Sequence, residues 1–451
     1  MIGGQPAAHN GAVDSPVERA VVSARGPLRG TLTVPGDKSV SHRALMLAGI
    51  ANGTSRITGL SAGEDVRHTR QIMQALGVRI TEQPASSLHR VGDLNVHGGE
   101  LHAAGDPLDV GNSGTGARLL AGLCAGQPFR SVITGDESIA RRPMDRVVEP
   151  LRAMGASIDG SEGGRFTPLV IDGGGLHGID YTPPMASAQV KSAILLAGLF
   201  AEGTTTVREA VSTRRHTEEL LADHGVAVSS EDDGHGGAVV TVHPGTVDPG
   251  LFAVPGDPSQ AAFWICAAAA VPGSDVTVEN LYLAPERSGF LDVLLDMGAE
   301  LDIDRASGRV RVRGSELHGT VVAGSRLPDL IDEVPALALA GALAASEVLR
   351  FEDAAELRAK ESDRIDTVAE MLTALGASVE TGPDWLAVHS AGPGSLRPGA
   401  VDSHHDHRIA MAAAVATVGL GLESEVTIDG WDAVATSYPG FLDDLDALTS
   451  E

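Results

Sequence analysis

Two cysteines in 451 residues are too few for a disulfide framework. Cys124 and Cys266 fall in the apolar runs LLAGLCAG and FWICAAAA, where a buried, inert thiol is expected. No uninterrupted apolar run reaches membrane length. Residues 1–20 are rich in Gly, Ala and Asn and lack the basic-then-apolar order of a secretory signal, so they read as a flexible leader. Together these absences imply a cytoplasmic protein. Positive charge is scarce too: the net charge is −27, which repels nucleic acid and anionic membranes. Lysine is nearly missing. Lys38, Lys191 and Lys360 stand alone, each inside a dense polar motif rather than scattered as solvated surface charge. There is no Walker loop and no G-x-G-x-x-G fingerprint after a strand, so no nucleotide cofactor is indicated. Neither Ser39 nor Ser187 has the frame of a hydrolase nucleophile elbow.

What is present is a repeat. Amphipathic helical stretches run into Gly77, Gly155, Gly225, Gly298 and Gly376, each followed by a β-branched or alternating segment. Glycine just past a helix is the expected left-handed stop. The spacings are 78, 70, 73 and 78 residues, and a sixth helix, PGFLDDLDAL, closes the series. The chain therefore reads as six α/β units of roughly 75 residues in two pseudo-symmetric halves. VPGD at Val34–Asp37 recurs at Val254–Asp257, marking equivalent positions in the two halves. The first copy leads into Lys38, Ser39, His42 and Arg43; the second leads into Pro258 and apolar residues. Chain crossings are expected near 35–36 and 244–250. The expected division is 21–35 plus 248–451 as one domain and 36–247 as the other. Each unit also carries a second, almost wholly apolar helix, the pattern of a buried one. Most of these helices follow a polar cluster, which sets exposed N–H donors beside polar side chains, an arrangement that binds anions.

These clusters read GDKSVSHR, GNSGTGAR, ASAQVKSA, GDPSQ, IDEVP and SHHDHR, with LRAKESDR and DESIARRPMDR beside them. The functional reading is one cleft in which Lys38, Arg43, Arg142, Lys191, Arg364 and Arg408 face anionic groups, with Gly114 admitting a ligand to the backbone. The plainer alternatives are a capped, salt-bridged helix start at KESDR and a turn with a cap at Asn112–Thr115. His404, His405 and His407 around Asp406 invite a metal site. Adjacent ligands without cysteine or His-x3-His spacing do not build a closed one. Two carboxylates stand out for proton transfer: Asp332, with Glu333 as a rival and helix capping as an alternative, and Glu361 beside Lys360.

The ordered set VPGDKSVSHRAL, GNSGTGARL, RRPM, SAQVKSA, TRRHTE, IDE-P, KESDR and DHR resembles the 5-enolpyruvylshikimate-3-phosphate (EPSP) synthase family over about residues 25–447. The resemblance implies an α/β fold of two pseudo-symmetric domains, each of three βαβαββ units, with the N-terminal segment joining the second domain. It implies transfer of the enolpyruvyl group of phosphoenolpyruvate to the 5-hydroxyl of shikimate 3-phosphate by a monomer, with no cofactor and no metal. It assigns shikimate 3-phosphate to Lys38, Ser39, Arg43, Ser187, Ala188, Gln189, Arg214, Asp332 and Lys360. It assigns phosphoenolpyruvate to Lys38, Gly114, Arg142, Gln189, Arg364 and Arg408. Asp332 would accept the hydroxyl proton, Glu361 would protonate the methylene carbon, and Lys38 would serve both substrates. Some members have serine where Ala188 stands, and lysine where Thr436 stands. Gly114 leaves room for glyphosate, so inhibition is expected. The sister enzyme acting on UDP-N-acetylglucosamine typically uses a loop cysteine, whereas Cys124 lies in an apolar helical run. Domain closure is expected on binding shikimate 3-phosphate, because the cleft cations repel one another.

Overall fold

A computed structural model describes residues 18–23, 26–85, 91–344, 346–392, 394–420 and 424–450. The five punctuating glycines all have positive φ, from +80° to +107°. They end the helices Glu64–Ala75, Asp145–Ala153, His216–Asp223, Gly289–Asp296 and Arg364–Ala374, and Phe441–Thr449 is the sixth of the series. The apolar helices form as read: Lys38–Ile50, Gly114–Ala125, Ala188–Gly198, Pro258–Ala270, Val334–Leu343 and His407–Ala416, nearly all of their residues buried.

The strands repeat one topology. In the first unit, Leu251–Ala253 runs parallel to Thr54–Thr58, which pairs antiparallel with Leu94–His97, which pairs antiparallel with Arg79–Glu82. Four further four-stranded sheets copy this order of one parallel and two antiparallel pairs. The sixth sheet has three strands: Ala400–Asp402 lies parallel to Glu425–Asp429, whose antiparallel partner is Arg19–Ser23 from the other end of the chain. Arg19 and Ala20, expected in a leader, are therefore part of a strand. In this unit the N-terminal segment takes the antiparallel place beside the central strand. Residues 1–17 of the expected leader lie outside the described residues.

Apolar side chains collect into two cores, one drawn from residues 40–254 and one from 20–34 with 261–448. They define a first and a second lobe. The lobes exchange strands. Arg29–Leu32 pairs with Asp275–Val278 in the second lobe, and the chain then enters the helix Lys38–Ile50 of the first. Leu251–Ala253 sits in a first-lobe sheet before the chain enters Pro258–Ala270 of the second. The second crossing thus falls at 254–256, after the expected 244–250, because Leu251–Ala253 is hydrogen-bonded into the first unit.

The two VPGD turns are these crossings, and they pair with each other. Asp37 N donates to Pro255 O at 2.7 Å and Asp257 N to Pro35 O at 2.9 Å, around an antiparallel Gly36–Gly256 bridge. A Cβ on Gly36 would lie 1.9 Å from the Gly59 carbonyl oxygen, so glycine is required by close approach. A cavity of about 350 Å³ lies behind the crossing, lined by Val34, Pro35, Gly59, Leu60 and Val254. Among the described residues no helix is long and apolar enough to cross a membrane.

Candidate active site

Five of the six buried helices begin at a side-chain cap: Asp37, Ser113, Ser187, Asp257 and Asp406 each accept from a first-turn amide. These caps fix the ends from which the polar motifs project. At the exception, Val334–Leu343, Glu333 occupies the cap position without capping. Asp332 does not cap either. Its carboxylate is drawn into a cluster of cations, which decides between the two readings of IDEVP.

That cluster spans both lobes. Asp332 Oδ2 accepts from Arg214 of the first lobe at 3.1 Å, and Oδ1 from Arg364 at 3.1 Å. Lys360 Nζ lies 3.6 Å from Oδ1, and Arg408 Nη1 donates to the Asp332 carbonyl at 3.0 Å. Burial opposes ionisation here, yet Lys360, Arg408, Arg214 and Arg364 outweigh it and hold the Asp332 carboxyl well below the usual carboxylate range. Glu361 is the second cross-lobe link: Oε1 accepts from Arg142 at 2.9 Å and Oε2 from Arg364 at 2.6 Å. Burial again works against the charge, and Arg364, Arg142, His407 and Lys38 again prevail. Arg364 is fully buried and anchored to Asp406 at 2.8 Å. The lobes thus meet across the cleft through Arg142–Glu361 and Arg214–Asp332. Carboxylates in the cleft offset the cation repulsion expected there.

Around Gly114, Arg142 Nη1 donates to the Asn112 carbonyl at 3.4 Å, and Gln189 Nε2 to Thr115 Oγ1 at 2.9 Å. A Cβ on Gly114 would lie 2.8 Å from Arg142 Nη1 and 2.9 Å from Arg118 Nη1. Lys38 Nζ is paired with Asp65 at 2.8 Å. Arg43 is buried. It donates to Thr217 Oγ1 at 2.7 Å, to Ser192 Oγ at 2.6 Å and to the Ser39 carbonyl at 2.8 Å. Burial pulls its pKa down to about 10. Ser187 caps the helix that Ala188 opens, and Ser192 Oγ donates to the Ala188 carbonyl at 2.6 Å.

One expected cleft cation is elsewhere. Lys191 is 1% exposed, with Nζ 2.8 Å from Glu209, 2.7 Å from Glu218 and 3.3 Å from the Thr213 carbonyl. A buried ammonium needs carboxylates of the protein itself, and these two consume it. It ties down the loop carrying Arg214 and the start of the helix His216–Asp223, which carries Thr217, instead of facing a ligand. The histidine cluster also disperses: His404 pairs with Glu370 and His405 with Asp432, while Asp406 caps a helix and holds Arg364. Among the described residues no group of His, Cys, Asp and Glu could hold a metal ion. Both thiols are buried, and burial raises the pKa of Cys124 to about 11 and that of Cys266 well above the usual thiol value.

Reading by motif missed Arg118. It donates to Gln189 Oε1 at 2.8 Å, to the Gly114 carbonyl at 3.2 Å and to the Pro143 carbonyl at 3.2 Å, tying three motifs together. Burial, with Arg142 and Arg146 beside it, lowers its pKa to about 10. Its position four residues after Gly114, on the same helix face, was the available signal. Asp65, the partner of Lys38, carried no such signal.

A cleft of eight cations and few carboxylates, built by both lobes of a six-unit scaffold, suits two polyanionic substrates. The model for EPSP synthase (3-phosphoshikimate 1-carboxyvinyltransferase) matches residues 22–445. The chain belongs to the EPSP synthase family. A 3-phosphoshikimate 1-carboxyvinyltransferase of Anaeromyxobacter sp. (strain Fw109-5) is 46% identical over 433 residues, 94% of this chain and 97% of that one. One from Thermus thermophilus is 47% identical over 428 residues, 93% and 96% of the two chains. The EPSP synthase structure from Acinetobacter baumannii superposes with a TM-score of 0.82 at 39% identity, covering 96% and 98% of the two chains. An enolpyruvyl transferase from Streptomyces tendae shares the fold, with a TM-score of 0.75 at 17% identity and coverage of 95% and 96%. Family membership makes the chain a transferase of the EPSP synthase reaction, and it agrees with the two-domain repeat fold read from the sequence.

Proposed function

We propose that this cleft transfers the carboxyvinyl group of phosphoenolpyruvate to the 5-hydroxyl of shikimate 3-phosphate by addition and elimination. The hydroxyl oxygen attacks C2 of phosphoenolpyruvate while Asp332 accepts the hydroxyl proton and Glu361 protonates the methylene carbon. The resulting tetrahedral intermediate loses a proton from the new methyl group as its C–O bond to phosphate breaks, restoring the double bond. Lys38, Ser39, Arg43, Ser187, Ala188, Gln189, Arg214 and Lys360 hold shikimate 3-phosphate. Lys38, Gly114, Arg142, Gln189, Arg364 and Arg408 hold phosphoenolpyruvate, with Arg118 bracing Gln189.

The observation that carries this reading is the sharing of cations between the two carboxylates. Asp332 is kept ionised by four of them, as a base must be. Glu361 is also kept ionised, which is wrong for a donor, but its partners Arg142 and Arg364 are the groups assigned to phosphoenolpyruvate. Substrate anions that claim these guanidiniums release Glu361 to take up a proton. Binding thereby arms the acid.

Every group in this set comes from one chain, so a monomer suffices, and a cytoplasmic enzyme without cofactor or metal fits the reading. The two lobes on either side of the VPGD crossings at Val34–Asp37 and Val254–Asp257 serve as the two domains. The test is phosphate release from phosphoenolpyruvate with and without shikimate 3-phosphate. Release only with shikimate 3-phosphate is expected; release supported by UDP-N-acetylglucosamine alone would overturn the assignment.

A further inference from the structure

We propose that Arg287 is a positioning residue for this reaction, a clasp at the double crossing that sets Lys38 on one side and Asp332 on the other. Arg287 ends the short 3-10 turn Pro285–Arg287, and its side chain is 3% exposed. Nη2 donates to Asp37 Oδ2 at 2.8 Å and to Asp257 Oδ1 at 2.7 Å. Nη1 donates to Ser259 Oγ at 3.1 Å and lies 3.9 Å from Glu333 Oε1, to which Ser259 Oγ in turn donates.

Each of these carboxylates adjoins the chemistry. Asp37 precedes Lys38 and caps its helix through the amide of Val40 at 2.9 Å. Asp257 caps the second crossing helix and accepts the Lys38 amide at 3.1 Å through its other oxygen. Glu333 follows Asp332 directly. One guanidinium therefore fixes the backbone on either side of two groups assigned to the reaction. Its planar fork reaches both crossing strands and the start of a third buried helix at once, which an ammonium cannot do. The three acids outnumber the cation, and burial, the largest influence, raises the carboxyls of Asp257 and Glu333. Without Arg287, the acids of the two crossing strands would face each other unscreened, and the strands carrying Lys38 and Asp332 would lose their common reference.

The contrast between the turns supports this role. Ser259 is the counterpart of Ser39. Ser39 belongs to the ligand set, while Ser259 is occupied by Arg287 and Glu333. The second half of the duplicated scaffold fills with its own side chains the place that the first half leaves for substrate.

The proposal rests on the roles given above to Lys38 and Asp332. Wild-type phosphate release run in parallel reports on those roles, and the clasp is judged on the ratio of variant to wild type. Arg287→Lys keeps one charge but loses the fork. It is expected to bind shikimate 3-phosphate with a stoichiometry near one per chain by calorimetry, but about tenfold more weakly, and kcat should fall about a hundredfold, the scale of a 1 Å misplacement. If instead the stoichiometry falls while affinity and kcat per binding site stay within about twofold of wild type, Arg287 only stabilises the crossing and the proposal is overturned. Wild-type behaviour throughout overturns it equally. Should Arg287→Lys fail to fold, Ser259→Ala removes a single leg of the clasp. A loss of about threefold or more in kcat at full stoichiometry supports the proposal, and an unchanged kcat overturns it.

Discussion

The two VPGD turns have the same backbone task and opposite chemistry. Each crosses between lobes, each caps a buried helix with its aspartate, and each donates an amide to the other strand's proline carbonyl. Position by position, Lys38 faces Pro258, His42 faces Ala262 and Arg43 faces Phe263. Phe263 packs edge-on against Phe441 with ring centroids 6.1 Å apart, part of an aromatic cluster that seats the C-terminal helix. Arg43 occupies the same helical position but reaches Ser192 and Thr217. A duplicated turn thus spends one copy on cohesion and the other on charge. Proline at the first helical position suits the cohesive copy, because that amide has no partner within the helix.

The comparison can be broken at several points. Arg43→Met makes the charged turn apolar like its twin while keeping a long side chain. It should lower kcat/KM for shikimate 3-phosphate about a thousandfold with the circular-dichroism spectrum retained, the range for removing one partner of a buried hydrogen-bonded charge. A loss below tenfold would mean that Arg43 is a packing residue like Phe263.

His42 differs from Ala262 in being titratable. Its Nδ1 lies 2.7 Å from Thr69 Oγ1, and burial, the largest influence, lowers its pKa from 6.5 to about 4. The unfolded chain takes up this proton near pH 6.5 and the folded chain resists until about pH 4. Stability is therefore complete above pH 6.5 and falls as pH drops from 6.5 to 4, by up to about 3 kcal/mol from this group. His407, held down to about 3 chiefly by burial, adds to the same slope. His42→Asn should reduce, not abolish, the fall of Tm across that window. An unchanged slope would rule His42 out as its source.

Lys38→Met should cost about a hundredfold in kcat/KM, as expected for a lost charged hydrogen bond in the cleft. Pro258→Ala at the equivalent position should cost about 1 kcal/mol of stability and leave turnover within about twofold. Equal effects on turnover from the two would erase the functional asymmetry of the turns. The smallest change is Gly114→Ala. Its methyl crowds the Arg142 and Arg118 guanidiniums, so KM for phosphoenolpyruvate should rise about tenfold and inhibition by glyphosate should weaken, as read from initial rates.

The repeat was legible because its signals are local. A left-handed glycine after each helix and an all-apolar second helix are demands of backbone sterics and burial, and each is met within a few residues. The candidate carboxylates were legible because Glu361 stands between Lys360 and Arg364 in sequence and Asp332 directly precedes a buried helix in IDEVP. Lys191 was misplaced because its partners, Glu209 and Glu218, lie in segments that local motifs do not connect to it. The second crossing was set too early because strand exchange is a long-range pairing, and Arg118 was overlooked behind Gly114 in its own motif.

By itself, the order of residues determined six units, two halves, the buried helices with their caps, and a cation-rich cleft with two candidate proton carriers. All of these follow from short-range stereochemistry and from composition. Only the tertiary structure decided which cations remain for ligands and which the protein keeps for itself. It paired Lys191 internally, shared Arg364 among Asp406, Glu361 and Asp332, and laid the two VPGD strands against one another under Arg287. Charge partners are chosen by distance in space, which proximity along the chain does not determine once it has crossed twice between its lobes.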